Sequence, residues 1–318
     1  MKICFIGCGN HANSVYAPSL IRLKKENADI DFAACCDMDK EKVISFQKLI
    51  GFGRAYTDYV EMLDTEKPDA VVTVTQYQLT AILGQDILNR GYPVMMEKPI
   101  GDSYEECLGV IAASEAKNIP AQAAFNRRHI PLVRELVKEL KNSPPINHID
   151  YKMYRVNRRE DFFHTTAVHG IDLVRYIAGT DYERVNFNYK GLDIHMQCVF
   201  CDGPTAQLSF CPATGLVIER LEVVCDNITY YVKLPMWRGP DAPGSIARYE
   251  NNKAVYIKSG DEVSDGELMN EAGGFYAQLK YYFDAMKYGS KIEHDIQSAA
   301  DTMRVTDCVK RRDNKYEK

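Results

Sequence analysis

The chain has 318 residues, 46% of them hydrophobic and 26% charged, with a formal net charge of −5 at pH 7. This length and composition predict a globular protein with one large or two medium domains. The slightly negative charge gives no electrostatic footprint of a nucleic-acid or anionic-membrane partner, so we expect neither. No run approaches the roughly 18 to 20 apolar residues of a membrane span. Residues 3–6 lead into a glycine loop and not into a signal peptide, so we expect a cytoplasmic protein.

The first 125 residues alternate short apolar strands with amphipathic helices. Strand-like runs occur at residues 2–6, 30–36, 70–75, 92–96 and 121–125. The helix between the third and fourth strands is expected to end at Gly91, and Ser103 with Glu106 predicts a capping box for the next helix. This alternation is typical of a parallel sheet with helices on both faces.

A glycine-rich loop follows the first strand directly and opens a helix. It has the spacing GxGxxA and consists of Gly7, Cys8, Gly9, Asn10, His11 and Ala12. The glycines permit a tight turn and a close approach of the backbone to a pyrophosphate, and the small alanine permits close helix packing. In this strand-loop-helix context, the loop predicts dinucleotide binding by these six residues.

Asp37 ends the second strand, where an acidic side chain can accept hydrogen bonds from the adenosine ribose. Its charge would repel the 2′-phosphate of NADP, and no arginine follows it, although Lys40 is near. We therefore expect NAD as the cofactor, with NADP less favoured. The structural alternative is that Asp37 only terminates a strand.

Lys98 ends the fourth predicted strand, in the run VMMEKP at residues 94–99. Open α/β sheets bind ligands beyond the carboxyl ends of their strands, so a cation at this place is positioned for chemistry. The structural alternative is a solvated lysine in a strand-to-helix loop.

From about residue 146 the chain is richer in strand formers. Runs at 149–156, 185–189, 194–200, 205–210 and 221–232 are joined by short turns, which favours antiparallel pairing. One helix is expected at 166–178 and two more near the end of the chain. The predicted fold class is thus α/β followed by α+β: an N-terminal Rossmann dinucleotide-binding domain, then a domain built on a mostly antiparallel open β-sheet.

The chain contains ten cysteines and no recognisable secretion signal, which predicts reduced and largely buried thiols. The spacing Cys198-x-x-Cys201, followed by Cys211 and Cys225, is also found in metal sites. On a strand, however, an offset of three residues puts two thiols on opposite faces. We therefore predict structural cysteines and no metal site.

The loop sequence GCGNHA, the EKP run and the sequence HGID at residues 169–172 together resemble the glucose-fructose oxidoreductase, inositol dehydrogenase and MocA (Gfo/Idh/MocA) family. The similarity extends over nearly the whole chain, with FNRR at 125–128 as the domain junction and GFYAQL at 274–279 as the C-terminal helix. The resemblance implies a Rossmann domain in residues 1–124. Residues 125–318 would form a substrate-binding and oligomerisation domain, with the last helices packing back on the first domain. It also implies a homodimer or homotetramer formed through the C-terminal sheet.

In that family, the lysine of the EKP run lies by the nicotinamide and the substrate hydroxyl, and a histidine on the first helix of the second domain acts as acid or base. These positions map onto Lys98 and His169 as catalytic residues. The spacing supports His169, because Thr165, His169 and Asp172 fall on one face of a helix, separate from an apolar stripe. Thr165 stands where the family commonly has an aspartate, so a charge that would raise the pKa of the histidine is missing.

Six further residues are candidates for binding the cofactor or the substrate. The family's usual TP-x-x-x-H stretch is altered here and begins at Thr75, which we expect to contact the cofactor together with Glu97. Thr165 and Asp172 are candidate substrate ligands. Asn126 is either a substrate ligand or a structural hinge. Arg155 binds a hydroxyl, carboxylate or phosphate, or is an exposed charge.

The resemblance implies hydride transfer between NAD and a secondary carbinol or keto carbon of a sugar, cyclitol or related polyol. A histidine near its ordinary pKa can serve as acid or base in this reaction at neutral pH. Two alternatives stay open. One is a catalytically silent NAD-binding sensor or regulator, and the other is an NAD-dependent glycosidase that oxidises a ring carbon transiently.

Overall fold

The structure is a computed structural model that describes residues 1–160, 162–292 and 295–318. It has two compact units, of which the first comprises Met1–Phe125 and Phe275–Ala300 and the second Asn126–Gly274 and Asp301–Lys318. Within the described residues, the helices are α1 (Ala17–Glu26), α2 (Lys40–Ile50), α3 (Tyr59–Glu66), α4 (Tyr77–Asn89), α5 (Tyr104–Lys117), α6 (Pro131–Leu140), α7 (His164–Ala178), α8 (Gly260–Val263), α9 (Met269–Ala272), α10 (Phe275–Tyr288) and α11 (Ala300–Arg311). None of these helices is long and apolar enough to cross a bilayer.

The first unit is built on a parallel sheet whose strands follow the order β3-β2-β1-β4-β5-β6 in the described part of the chain. The strands are β1 (Lys2–Ile6), β2 (Asp31–Cys36), β3 (Arg54–Tyr56), β4 (Ala70–Thr73), β5 (Val94–Glu97) and β6 (Ala121–Ala124). This is the order of dinucleotide-binding folds, in which the chain reverses direction between β1 and β4. The predicted Rossmann fold is therefore confirmed. Strand β3 was not predicted, because its three residues, one exposed and two half-buried, show no periodicity.

Side chains at helix ends fix where several of these helices begin. The carboxylates of Asp39 and Asp58 accept hydrogen bonds from the backbone at the starts of α2 and α3. The predicted capping box of α5 forms only in part. Ser103 Oγ accepts from the Glu106 amide, but the Glu106 carboxylate accepts from Asp102 N and not from the capping residue.

The second unit contains a sheet with the order β14-β13-β12-β11-β7-β10-β9-β8-β15 among the described residues. Its strands are β7 (Ile146–Tyr154), β8 (Tyr182–Lys190), β9 (Asp193–Phe200), β10 (Thr205–Cys211), β11 (Ile218–Cys225), β12 (Ile228–Lys233), β13 (Ser245–Glu250), β14 (Lys253–Ser259) and β15 (Lys315–Glu317). Neighbouring strands are antiparallel except β7 and β10, which confirms the predicted class. The run predicted at 221–232 is two strands, separated by a turn in which Asn227 has a φ of 60°.

Helix α7 packs on one face of this second sheet at Gly170. A Cβ atom there would lie 2.3 Å from the Tyr151 ring on β7 and 2.7 Å from the Phe210 ring on β10. Only glycine therefore permits this approach, which sets the depth of the helix against the sheet. The neighbouring His169 is held at a fixed height above the strands as a consequence.

Candidate functional site

Gly7 begins the loop at the carboxyl end of β1 with a φ of 95°. A Cβ atom on Gly7 would lie 2.1 Å from the Val74 carbonyl oxygen, which is far inside van der Waals contact. The Gly7 amide also donates to Cys36 O at 2.8 Å. The loop thus runs close between the strands on either side of β1. Gly9 differs, because a Cβ atom there would meet no atom of the described residues within 4 Å.

The helix that follows the loop begins with a π-type turn at Ala12–Tyr16 and continues as α1. Ala12 is fully buried, as close packing of this helix requires, whereas Asn10 and His11 are exposed. The amino end of a helix offers backbone N–H groups and a partial positive charge, both of which favour a phosphate. Wider π turns frequently occur at functional sites.

Asp37 follows β2 and holds the glycine loop. Its carboxylate accepts from the Cys8 amide at 2.7 Å and from the Asp39 amide at 2.9 Å. The side chain is half-buried. A carboxylate has lone pairs for about four hydrogen bonds, so two donors leave capacity for ribose hydroxyls.

Thr75 lies beside the loop, just after β4. Its Cγ2 would lie 3.2 Å from a Cβ atom on Gly7. Its Oγ1 is buried and has no hydrogen-bond partner among the described residues. A buried polar atom in this state commonly marks a place where a ligand or water binds. The tight turn at Gly7, the open space at Gly9 and this hydroxyl therefore fit a dinucleotide.

Three groups contact the carboxylate of Glu97, at the end of β5. Tyr16 donates a short hydrogen bond to its Oε1, His11 Nε2 lies 3.3 Å from the same atom, and Oε2 accepts from the Lys98 amide at 3.0 Å. Burial would raise the pKa of Glu97, but the hydrogen bond from His11 and the positive charges of His11 and Lys98 lower it. Glu97 is thus held as a carboxylate that ties the glycine loop to the EKP run.

Tyr16 is the member of this cluster that the sequence did not reveal. It is fully buried in the π turn, its ring packs edge-on against His11 and Phe275, and burial next to Glu97 raises the pKa of its hydroxyl well above the ordinary value. The only sequence signal is its position four residues after Ala12, on the helix that the loop opens. Lys98 follows β5 with a half-buried side chain.

In the second unit, α7 starts two residues earlier than predicted and carries Thr165, His169 and Asp172. Thr165 Oγ1 donates to the Phe162 carbonyl at 2.9 Å. His169 is buried, with only 7% of its surface exposed. Ala167, Ile171 and Val174 of the predicted apolar stripe pack in the hydrophobic core of this unit.

Asp172 is fully buried and its carboxylate already has protein partners. Arg128 donates to both oxygens, at 2.8 Å from Nε and 2.5 Å from Nη2, and Thr302 Oγ1 donates at 3.1 Å. A bidentate arginine pair of this type fixes geometry strongly. We therefore assign Asp172 a structural role and no longer a place among the candidate substrate ligands.

Asn126 and Arg155 are also buried and bonded. Asn126 donates to Gly273 O at 2.8 Å and accepts from Arg127 Nη1 at 2.9 Å. Arg155 donates to the Ile218 carbonyl at 3.2 Å and to Glu219. Arg155 is only 8% exposed, so the alternative of an exposed charge is wrong.

Glu219 on β11 is the centre of a buried charge network. Its carboxylate is fully buried and accepts from Arg127, Arg155 and the Tyr151 hydroxyl. Burial would raise the pKa of Glu219, but the two guanidinium groups lower it to about 2. The network therefore neutralises the guanidinium group of Arg155, which the sequence offered as a substrate ligand.

Comparison with known proteins agrees with this fold. Residues 1–125 match the Gfo/Idh/MocA family model, described as an oxidoreductase family with an NAD-binding Rossmann fold. The glycine loop and the EKP run both lie within these 125 of the 318 residues, and the match supports the resemblance found in the sequence.

Individual relatives are distant. Inositol 2-dehydrogenase 2 of Saccharopolyspora erythraea is 26% identical over 191 residues, which cover 57% of this chain and 55% of that protein. The chain spans about half the length of the curated relatives it matches. A Gfo/Idh/MocA family oxidoreductase from Vibrio cholerae superposes with a TM-score of 0.81 at 20% identity, covering 98% of this chain and 97% of that one. An oxidoreductase from Agrobacterium radiobacter in complex with NAD+, L-tartaric acid and magnesium gives 0.82 at 15% identity, covering 100% and 98%. These structures share the fold.

Proposed function

We propose that the protein is an NAD-dependent oxidoreductase that acts on a secondary alcohol or keto carbon of a sugar, cyclitol or related polyol. The observation that carries this proposal is the arrangement at one edge of the first sheet. Gly7, Asp37, Thr75 and Lys98 directly follow four neighbouring strands, β1, β2, β4 and β5, or lie within two residues of their ends. Ligands of such sheets bind at this edge, next to the change of strand order.

Each of these groups would contact one part of the cofactor or the substrate. The Gly7 loop and the helix after it would hold the pyrophosphate, and Asp37 would accept hydrogen bonds from the ribose. Thr75 Oγ1 would gain a partner, which it lacks among the described residues. NAD, when bound, supplies or accepts the hydride. The Asp37 carboxylate favours NAD over NADP, because a 2′-phosphate would meet a like charge.

Lys98 and His169 are the proposed catalytic residues, and both assignments rest on the family resemblance. An ammonium group can polarise a substrate oxygen, and an imidazole can take the hydroxyl proton during oxidation and return it during reduction. Glu97 supports the assignment of Lys98, because its carboxylate accepts from the Lys98 amide at 3.0 Å and fixes the backbone at that residue.

The substrate class rests on weaker similarity, since a distant relative is named as an inositol 2-dehydrogenase. A panel of cyclitols, aldoses and sugar acids, assayed for NADH formation, would identify the substrate. The variants Lys98→Ala and His169→Ala should then lower turnover by at least a hundredfold, with little change in NAD affinity. Lys117→Ala, at the exposed end of α5, is the matched control.

The outcomes separate the three functions that the sequence left open. Full turnover in both variants would refute the catalytic assignment. Tight NAD binding with no NADH formation across the panel would favour a sensor or regulator. Cleavage of glycosides without net NADH release would favour the glycosidase.

A further inference from the structure

Three side chains with metal-binding atoms face the same side of the hairpin formed by β9 and β10. Asp193 and His195 lie two residues apart on β9, with the buried Ile194 between them pointing the other way. Ile194 pairs with Phe210 and His195 pairs with Ser209. The next pair in this antiparallel register brings Cys211 opposite Asp193. A carboxylate oxygen, an imidazole nitrogen and a thiol sulfur therefore all lie within 4.8 Å of one another.

The distances and atom types suit one metal ion better than others. Around tetrahedral zinc, with bonds of about 2.0 to 2.3 Å, two ligand atoms lie roughly 3.3 to 3.7 Å apart. The ligand atoms must move by up to about 1 Å to reach this spacing, and rotation of the exposed His195 and half-buried Asp193 side chains supplies such a movement. Thiolate and imidazole ligands favour zinc over magnesium or calcium, which prefer oxygen ligands. Three protein ligands would leave a fourth position for water.

A neighbouring side chain orients His195 for binding a cation. Ser209 Oγ lies 3.1 Å from His195 Nδ1 and restrains the plane of the imidazole ring.

We propose that Asp193, His195 and Cys211 form a zinc-binding site on the solvent face of the second sheet. Of the four cysteines considered in the sequence as metal ligands, this site uses Cys211 alone. Cys198 lies on the opposite, buried face of the same strand and takes no part. The ion would join two strands that are already paired, so it stiffens this hairpin and is not required for the fold.

Cobalt is the probe, because it occupies tetrahedral zinc sites and shows a charge-transfer band when a thiolate binds it. The full chain, treated with a chelator, should bind one equivalent of Co2+ with such a band, and Zn2+ should abolish it. Cys211→Ser should remove the band. Asp193→Asn and His195→Gln should each weaken Zn2+ binding at least tenfold, about 1.4 kcal/mol.

Two matched controls test whether the ligand set is the cause. His148 Nδ1 lies 2.8 Å from Thr205 Oγ1, which repeats the arrangement of His195 on a neighbouring strand outside the cluster. His148→Gln should leave Zn2+ affinity unchanged. Cys201→Ser, at another partly exposed thiol, should keep the cobalt band.

Several results would overturn the proposal. These are absence of the band at stoichiometric Co2+, survival of the band in Cys211→Ser, and equal weakening by His148→Gln and His195→Gln. Circular dichroism of the metal-free variants separates loss of binding from loss of fold. In addition, Zn2+ should raise the melting temperature of the wild type and not that of Cys211→Ser, and an equal rise in both would also contradict the site.

Discussion

Replacing Glu219 by glutamine should destabilise the second unit strongly, because it leaves two buried guanidinium groups without their counter-charge. Arg127 and Arg155 keep only 11% and 10% of their side-chain surface exposed. Removing one partner of such a buried pair typically costs about 3 to 5 kcal/mol. The lowering of the pKa of Glu219 from 4.5 to about 2 gives a similar value, roughly 3 kcal/mol.

The pH dependence gives an independent check on the cause. The pKa of Glu219 is lower in the folded state than in the unfolded state, so its contribution is complete above the unfolded value near 4.5 and disappears as pH falls toward 2. The difference in unfolding free energy between wild type and Glu219→Gln should therefore shrink to roughly half near pH 3.

Urea unfolding followed by Trp237 fluorescence is a suitable assay, because this is the one tryptophan of the sequence and it belongs to the second unit. Glu222→Gln is the control, since Glu222 lies on the same strand and accepts one hydrogen bond from Tyr231 in an exposed setting. It should change stability by less than about 0.5 kcal/mol. Equal stability of the two variants, or a difference that does not vary with pH, would refute this account and return Arg155 to the candidate substrate ligands.

Three further predictions concern the first unit. Gly7→Ala should lower NAD affinity at least tenfold, because its Cβ would lie 2.1 Å from a carbonyl oxygen; titration by quenching of protein fluorescence measures the affinity, and an unchanged value would contradict the role of the loop turn. Tyr16→Phe removes the hydrogen bond to Glu97 and should lower kcat more than it raises KM for NAD; an unchanged kcat in steady-state assays would contradict a positioning role. Asp37→Asn removes the charge that opposes a 2′-phosphate, so the ratio of NADP to NAD affinity should rise at least tenfold in competition binding, and a constant ratio would argue against ribose contact.

Much of the fold could be predicted from local patterns in the sequence. The first strand, the glycine loop and the strand before Lys98 are each continuous in sequence, so apolar runs and turn residues mark them directly. Three-residue strands such as β3 and β15 left no comparable signal, because they are too short to show an alternation. The turn at Asn227 was missed for a related reason: both flanking strands are rich in the same apolar residues.

The partners of the buried charges were not predictable from spacing. Tyr16 meets Glu97, Arg128 meets Asp172 and Arg155 meets Glu219 across 81, 44 and 64 residues of sequence, respectively. Such pairs depend on which strands become neighbours, and the sequence gives this order only through the fold. From the sequence, Asp172 and Arg155 therefore looked like substrate ligands. In the structure, each of them neutralises a buried opposite charge.

Helix α10 has a consequence for how the protein is made. It belongs to the first unit although the whole of Asn126–Gly274 precedes it, and it adds Phe275, Leu279 and Tyr282 to the core around the glycine-loop helix. A ribosome releases the N-terminal residues first, so this core stays incomplete until residues 275–300 have emerged. During that interval, apolar surface on α1 remains open to water and to other nascent chains. A fragment that stops at Phe125 would keep this surface exposed permanently, and a minimal nucleotide-binding fragment must carry both segments.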